Sequence, residues 1–233
     1  MHRFLGLFIL ICFIGGCANT AQTDIQDIRI VQVTLKFRGG VDVGQYQYYI
    51  ALSGVTRPLV PEIPPAKYFP TPGRTYNDAH PDFQNQINAI LPFYSNFFGT
   101  WSDYIVVGRQ GISLFNSSST GFTAISADNH FNYLANLAFD GTYVVTGSTM
   151  IIRFPMSSLS AAAATQLHYS IFTSEVTDSP VTESGTLRDI LQDAQAGELV
   201  INVEKNAQIG PFFDSEDTSA TASDLVEWSI DIL

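Results

Sequence analysis

The chain has 233 residues, with 11 basic against 22 acidic side chains and a formal charge of −11. Such a balance repels phosphate backbones and anionic head groups, which argues against nucleic acid as a partner. Hydrophobic residues make up 45 % and charged residues only 14 %, below the usual charged share of about 25 %. A sizeable core is therefore expected under a surface carried largely by Ser, Thr, Asn and Gln.

Met1-His2-Arg3 makes a short cationic start, and Phe4 to Ile14 is apolar apart from Gly6. Gly15 and Gly16 then lead into Cys17. This is the anatomy of a secretory signal with a small-residue cleavage site. The apolar run is well short of the ~18 residues that a membrane-spanning helix needs. Ile14-Gly15-Gly16-Cys17 resembles the lipobox of bacterial lipoproteins, an aliphatic residue and two small ones before an obligatory cysteine. The resemblance implies cleavage between Gly16 and Cys17, diacylglycerol on the Cys17 sulfur and a fatty acyl group such as palmitate on the new amino terminus. Cys12 fits poorly, because bulky Ile11 precedes it. Two or more acyl chains anchor a protein stably, whereas one holds only marginally. Ala18 stands where many lipoproteins retained at the inner membrane carry Asp. The resemblance thus implies the outer membrane, facing the periplasm or the cell exterior. With Cys17 acylated, no disulfide is expected in the mature chain.

The expected division is a signal peptide over residues 1–16, a lipidated Cys17 with a polar tether over 17–27, and one folded domain over 28–233. Period-two alternation dominates that domain. In Ile28–Arg38, Val31, Val33, Leu35 and Phe37 share a face against Gln32, Thr34 and Lys36. Tyr46–Leu52, Trp101–Val107, Ile112–Phe115, Phe131–Phe139, Tyr143–Phe154, Leu167–Thr173, Leu199–Val203 and Val226–Ile232 read as further strands, set apart by Gly, Ser, Thr and Asn turns. Two short helices are expected. Thr186–Ala194 has a Thr cap and Leu187, Ile190 and Leu191 at helical spacing, and Gln84–Leu91 is the other. The fold class expected is all-β, a single antiparallel β-sandwich with one or two short helices. Arg57–Pro72 interrupts it with six prolines, a density that forbids a central strand.

Six aromatics lie within twelve residues, Phe93, Tyr94, Phe97, Phe98, Trp101 and Tyr104. With Tyr68, Phe69 and Tyr76 from the proline-rich excursion they could stack on sugar rings or proline-rich peptides, or simply form core. Tyr68, Tyr76 and Trp101 are the candidate ligand anchors. Asp214, Glu216, Asp217 and Asp224 offer hard oxygens from a loop, a calcium candidate that lacks EF-hand spacing. A solvated acidic loop is the plainer alternative. Asp78, His80 and Asp82 alternate but have no second histidine at ligand spacing.

His80, His130 and His168 are the imidazole bases of the mature chain, and no nucleophile-elbow, Ser-x-x-Lys or His-Glu-x-x-His pattern occurs. A non-enzyme is therefore expected, with a hydrolase of unrecognised site as an alternative. Tyr48-Tyr49-Ile50-Ala51-Leu52, the strand ending Arg153-Phe154-Pro155 and the Trp228-bearing last strand look like segments of bacterial β-sandwich modules of the carbohydrate-binding and DOMON-like kinds. The resemblance supports the fold and transfers no functional residue. The expected function is a lipid-anchored binding module for a carbohydrate or protein partner. The alternative class is a structural component of an envelope assembly, using a sheet edge or exposed face. No cofactor is expected beyond the possible calcium.

Overall fold

The computed structural model describes residues 29–60, 69–70, 97–117, 131–134, 139–176, 184–185, 187–191, 199–216 and 220–233. In chain order the strands are β1 (Ile30–Phe37), β2 (Tyr46–Ser53), β3 (Phe69–Pro70), β4 (Asp103–Gly108), β5 (Gly111–Ser117), β6 (Phe131–Leu134) and β7 (Thr142–Thr146). There follow β8 (Thr149–Pro155), β9 (Gln166–Glu175), β10 (Ser184–Gly185), β11 (Leu187–Ile190), β12 (Val200–Asn202), β13 (Gln208–Phe213) and β14 (Leu225–Ile232). Two antiparallel sheets pack face to face, as the alternation predicts. One has the order β13-β14-β1-β8-β7; the other runs β11-β9-β2-β4-β5-β6, with β12 also on β9. β3 and β10 pair separately.

Apolar alternation drives the packing. Val31, Val33, Leu35 and Phe37 of β1 are at most 1 % exposed, and they meet Met150, Ile152 and Phe154 of β8 and Trp228, Ile230 and Ile232 of β14 in one core. From the facing sheet come Tyr48, Ile50 and Leu52, Ile105 and Val107, and Leu167, Tyr169 and Ile171. Each such side chain contributes roughly 1.5–3 kcal/mol when fully buried. β1 sits between β14 and β8, with Val31 opposite both Ile232 and Phe154. The first and last strands therefore close the centre of a sheet. An axis follows from this register: the entry end is where β1 begins, and the far end is where it finishes.

Two expected elements differ. Leu187–Ile190 is strand β11 against β9, with Asp189 opposite Thr173 and Ile190 opposite Phe172, and not part of a helix over Thr186–Ala194. The helical spacing of Leu187, Ile190 and Leu191 was real, but a sheet edge with free hydrogen-bonding groups outweighs a propensity of tenths of a kcal/mol per residue. Tyr143–Phe154 is a hairpin rather than one strand. Gly147, at φ 62, opens the turn between Thr146 and Thr149, a backbone conformation that glycine enters without a Cβ penalty. β13, absent from the expected set, contains Pro211 and a register shift between Ile209 and Phe212. The expected helix Gln84–Leu91 lies outside the described residues.

Candidate functional site

The sheet containing β2 is buried on both faces. Its outer face carries Tyr49, Ala51, Tyr104, Phe172 and Ile190, which form a second core with Val60, Phe98 and Trp101. Two limbs of the β2–β4 connection make this layer. On one limb, the Pro58 carbonyl accepts from Ser170 Oγ at 2.6 Å and the Leu59 carbonyl from Trp101 Nε1 at 2.8 Å. On the other, Thr100 Oγ1 accepts from Leu59 N at 2.8 Å and donates to the Phe97 carbonyl at 2.7 Å. Proline at 58 costs no donor here, since only its carbonyl is used.

Trp101 is accordingly a packing residue, 3 % exposed. Its ring lies 5.0 Å from Phe98, 5.9 Å from Tyr104 and 5.7 Å from Phe172, centroid to centroid. Tyr49 stacks on Phe172 at 4.7 Å, and Tyr104 on Phe115 at 4.6 Å. The rings take the offset and edge-on arrangements that aromatic cores favour. The expectation of Trp101 as an exposed anchor is thus corrected: its faces are spent on neighbouring rings. Tyr68, Tyr76 and Cys17 lie outside the described residues.

The loop expected to hold calcium sits at the far end. Asp224 has a side chain that is fully buried, and its Oδ2 lies 2.6 Å from Arg38 Nε. Arg38 Nη1 reaches Glu216 Oε2 at 3.4 Å, where Glu216 is 66 % exposed. One guanidinium thus stands between two of the four expected ligands. Asp214 Oδ1 accepts from Ser215 N at 3.1 Å, and Asp217 lies outside the described residues. Among the described residues no group of three or more His, Cys, Asp or Glu could hold a metal ion.

The same end is closed by hydrogen bonds that no sequence motif announces. Tyr48 Oη donates to the Ala222 carbonyl and accepts from Asp42 N, each at 2.9 Å. Burial pushes the Tyr48 phenol up to about 12, because the charged form would lose its solvation. Thr173 Oγ1 donates to the Ser223 carbonyl at 2.9 Å, and Asp189 Oδ2 accepts from Leu225 N at 2.6 Å.

At the entry end a second buried carboxylate, Asp103, organises the turn after β8. It accepts from Ser160 N at 2.8 Å, Ser160 Oγ at 2.5 Å, Ala161 N at 3.3 Å and Ser102 Oγ at 2.7 Å, and also from Asn116 Nδ2. A carboxylate so fully engaged is a structural clamp. The available signal was parity: Asp103 shares the inward register of Ile105 and Val107, where an acid needs several donors. His168 is half-buried opposite Val200 and Ser53.

β7 is the described element that looks most open. Thr142-Tyr143-Val144-Val145-Thr146 carries no charge and no proline, and it ends the order of its sheet. Val144 is 57 % and Val145 38 % exposed. The opposite edge, β13, is blunted by Pro211 and its bulge, two devices that discourage edge pairing. Comparison with family models, curated proteins and solved structures found no match to this chain.

Proposed function

We propose that this protein is a lipid-anchored, non-catalytic binding module of the bacterial envelope, held at the outer membrane through Cys17. The Ile14-Gly15-Gly16-Cys17 stretch after an apolar run supports the anchor. Among the described residues, several polar side chains are occupied in holding the fold. Asp103, Ser160, Asp224 and Arg38 are engaged with one another or with backbone. The partner best supported is a protein that contributes an extended, uncharged segment to the β7 edge. A strand added there gains main-chain hydrogen bonds and covers Val144 and Val145. The single observation behind this is the asymmetry of the two sheet edges, one blunted and one plain. It also favours the second reading, a structural part of an envelope assembly that uses this edge.

The test has two arms. In a bacterium, Cys17→Ser should release the protein from the membrane fraction or stall its processing; mass spectrometry showing an unmodified mature Cys17 defeats the anchor. For the edge, Val144→Lys should abolish cross-linking of a stoichiometric envelope protein to a photoreactive residue at Thr146, with melting unchanged. Persistence of that cross-link defeats the partner assignment.

A further inference from the structure

Gly141-Thr142-Tyr143-Val144-Val145-Thr146-Gly147 reads almost the same from either end. Around Val144 the glycines match and the threonines match, and Tyr143 is mirrored by Val145. Thr142–Thr146 is β7, and among the described residues β8 alone pairs with it. A two-residue turn at Gly147-Ser148 joins the two strands, with Gly147 at φ 62 and Thr146 opposite Thr149. Such a turn closes on a hydrogen-bonded pair, and hydrogen-bonded and open pairs then alternate along the ladder. Thr142, Val144 and Thr146 therefore bond to β8. Tyr143 and Val145 turn their N–H and C=O groups outward, where no described residue bonds to them.

The side chains follow the same plan. Tyr143 and Val145 share the parity of Ile152 and Met150, their partners in β8, which belong to the core between the sheets. Tyr143 packs against that core, yet Val145 keeps 38 % of its surface exposed. Val144 lies on the outer face, opposite Ile151. No residue of β7 is charged. The turn after it is tied down, since the Gly147 carbonyl accepts from Val41 N at 3.1 Å and the Ser148 carbonyl from Phe37 N at 2.9 Å. The edge is thus held as an extended strand.

We propose that β7 pairs antiparallel with β7 of a second copy, about a two-fold axis between the two Val144 residues, so that two five-stranded sheets join into one. This rests on the reading of β7 as a binding edge, and it names the occupant. In that register Tyr143 lies opposite Val145 of the other copy, and each such pair exchanges both of its N–H···O=C bonds. Every outward main-chain group of the two edges is then used. Tyr143 of the other copy covers Val145, and Thr142 meets Thr146; aromatic with β-branched and Thr with Thr are pairs that favour strand association. A shift of one residue would set outer-face against inner-face side chains, which a continuous sheet does not allow. A second copy is the occupant because a two-fold contact needs a self-complementary patch, and this edge matches its own reverse. Charge agrees with it: Asp140 of one copy falls level with Ser148 of the other, and the two Asp140 carboxylates stand at opposite ends of the pair.

The test is disulfide trapping in the full-length protein, expressed in a bacterium, purified in mild detergent and oxidised with copper phenanthroline at rising protein concentration. Across the axis Val144 faces itself in an open pair, where Cα atoms lie about 4.5 Å apart, within disulfide reach. Val144→Cys should therefore give a linked dimer as its main product. Thr142→Cys and Thr146→Cys should each fail alone, since each lies roughly 13 Å along the strand from its own counterpart. Mixed together, the two should link. All three positions are exposed, so the substitutions leave the core alone. The unsubstituted chain gives the background from Cys12 and Cys17, and Val55→Cys, at a position 87 % exposed, gives that from random collision. Linkage at 144 no greater than at 55 overturns the dimer, as does self-linkage at 142 or 146 as strong as at 144. If position 144 does not link while a different protein still cross-links to a photoreactive residue at Thr146, self-pairing falls and the edge reading stands. If neither product forms, both fall.

Discussion

Arg38 joins Asp224 twice: its Nε lies 2.6 Å from the buried Oδ2, and its backbone N–H donates to the Asp224 carbonyl at 2.9 Å. The pair ties the residue after β1 to the residue before β14, so the middle of one sheet is closed by both backbone and charge. Removing one partner of a buried ion pair leaves the other charge uncompensated, at about 3–5 kcal/mol. Arg38 keeps 30 % of its side chain exposed, which places the effect at the lower end. Arg38→Met should destabilise the fold by about 3 kcal/mol, and Arg38→Met with Asp224→Leu by clearly less. Urea denaturation of the four members of the cycle measures this.

Trp101 belongs to the aromatic layer on the outer face of its sheet. Trp101→Ala should cost about 3–5 kcal/mol, as large core truncations do. Trp101→Phe keeps most of the ring volume and loses the hydrogen bond to the Leu59 carbonyl, so its cost should be nearer 2 kcal/mol. Thermal and urea unfolding check both. An unchanged melting temperature for Trp101→Ala would restore the ring to the role of a surface anchor.

Tyr48 gives the fold an alkaline limit. Its phenol ionises near 10 when unfolded and at about 12 in the fold. The unfolded chain therefore releases this proton first, and stability, fully present below pH 10, falls between pH 10 and about 12. The loss amounts to up to about 3 kcal/mol. Tyr48→Phe should be less stable at neutral pH, since the bonds to Ala222 and Asp42 disappear. It should also show a flatter decline above pH 10. Denaturation across that range, with phenolate absorbance as a monitor, tests the assignment.

Gly210 lies at φ 91 in the bulge of β13, where an added Cβ would sit 2.8 Å from the Trp228 carbonyl oxygen. A side chain is refused there by both backbone conformation and space. Gly210→Ala should cost more than about 1 kcal/mol, whereas Gly40→Ala, with nothing within 4 Å of its Cβ position, should cost far less. Paired melting curves suffice.

Much of the fold was legible because strand parity is local. Val31, Val33, Leu35 and Phe37 are inward in the structure as in the alternation, since successive side chains in a strand must point to opposite faces. The candidate site was less legible. Nothing near Asp224 in the sequence indicates that Arg38 is its partner. The aromatic cluster reads more readily as core than as platform, and for Phe98, Trp101 and Tyr104 only the limb bearing Pro58 and Leu59 decides it. β11 shows the same limit, because Leu187 and Ile190 satisfy a helical and an extended pattern alike.

By itself the sequence determined the all-β class, the inward face of each main strand and the acidic balance, all of which follow from side-chain period and composition. Only the tertiary structure decided that Tyr49, Ala51 and Tyr104 are buried on a second face, that Trp101 packs, and that Arg38 stands between Glu216 and Asp224. Those outcomes depend on which distant segment covers which surface. Ser170, for example, meets the Pro58 carbonyl at 2.6 Å, a pairing of residues far apart in the chain that no local preference encodes.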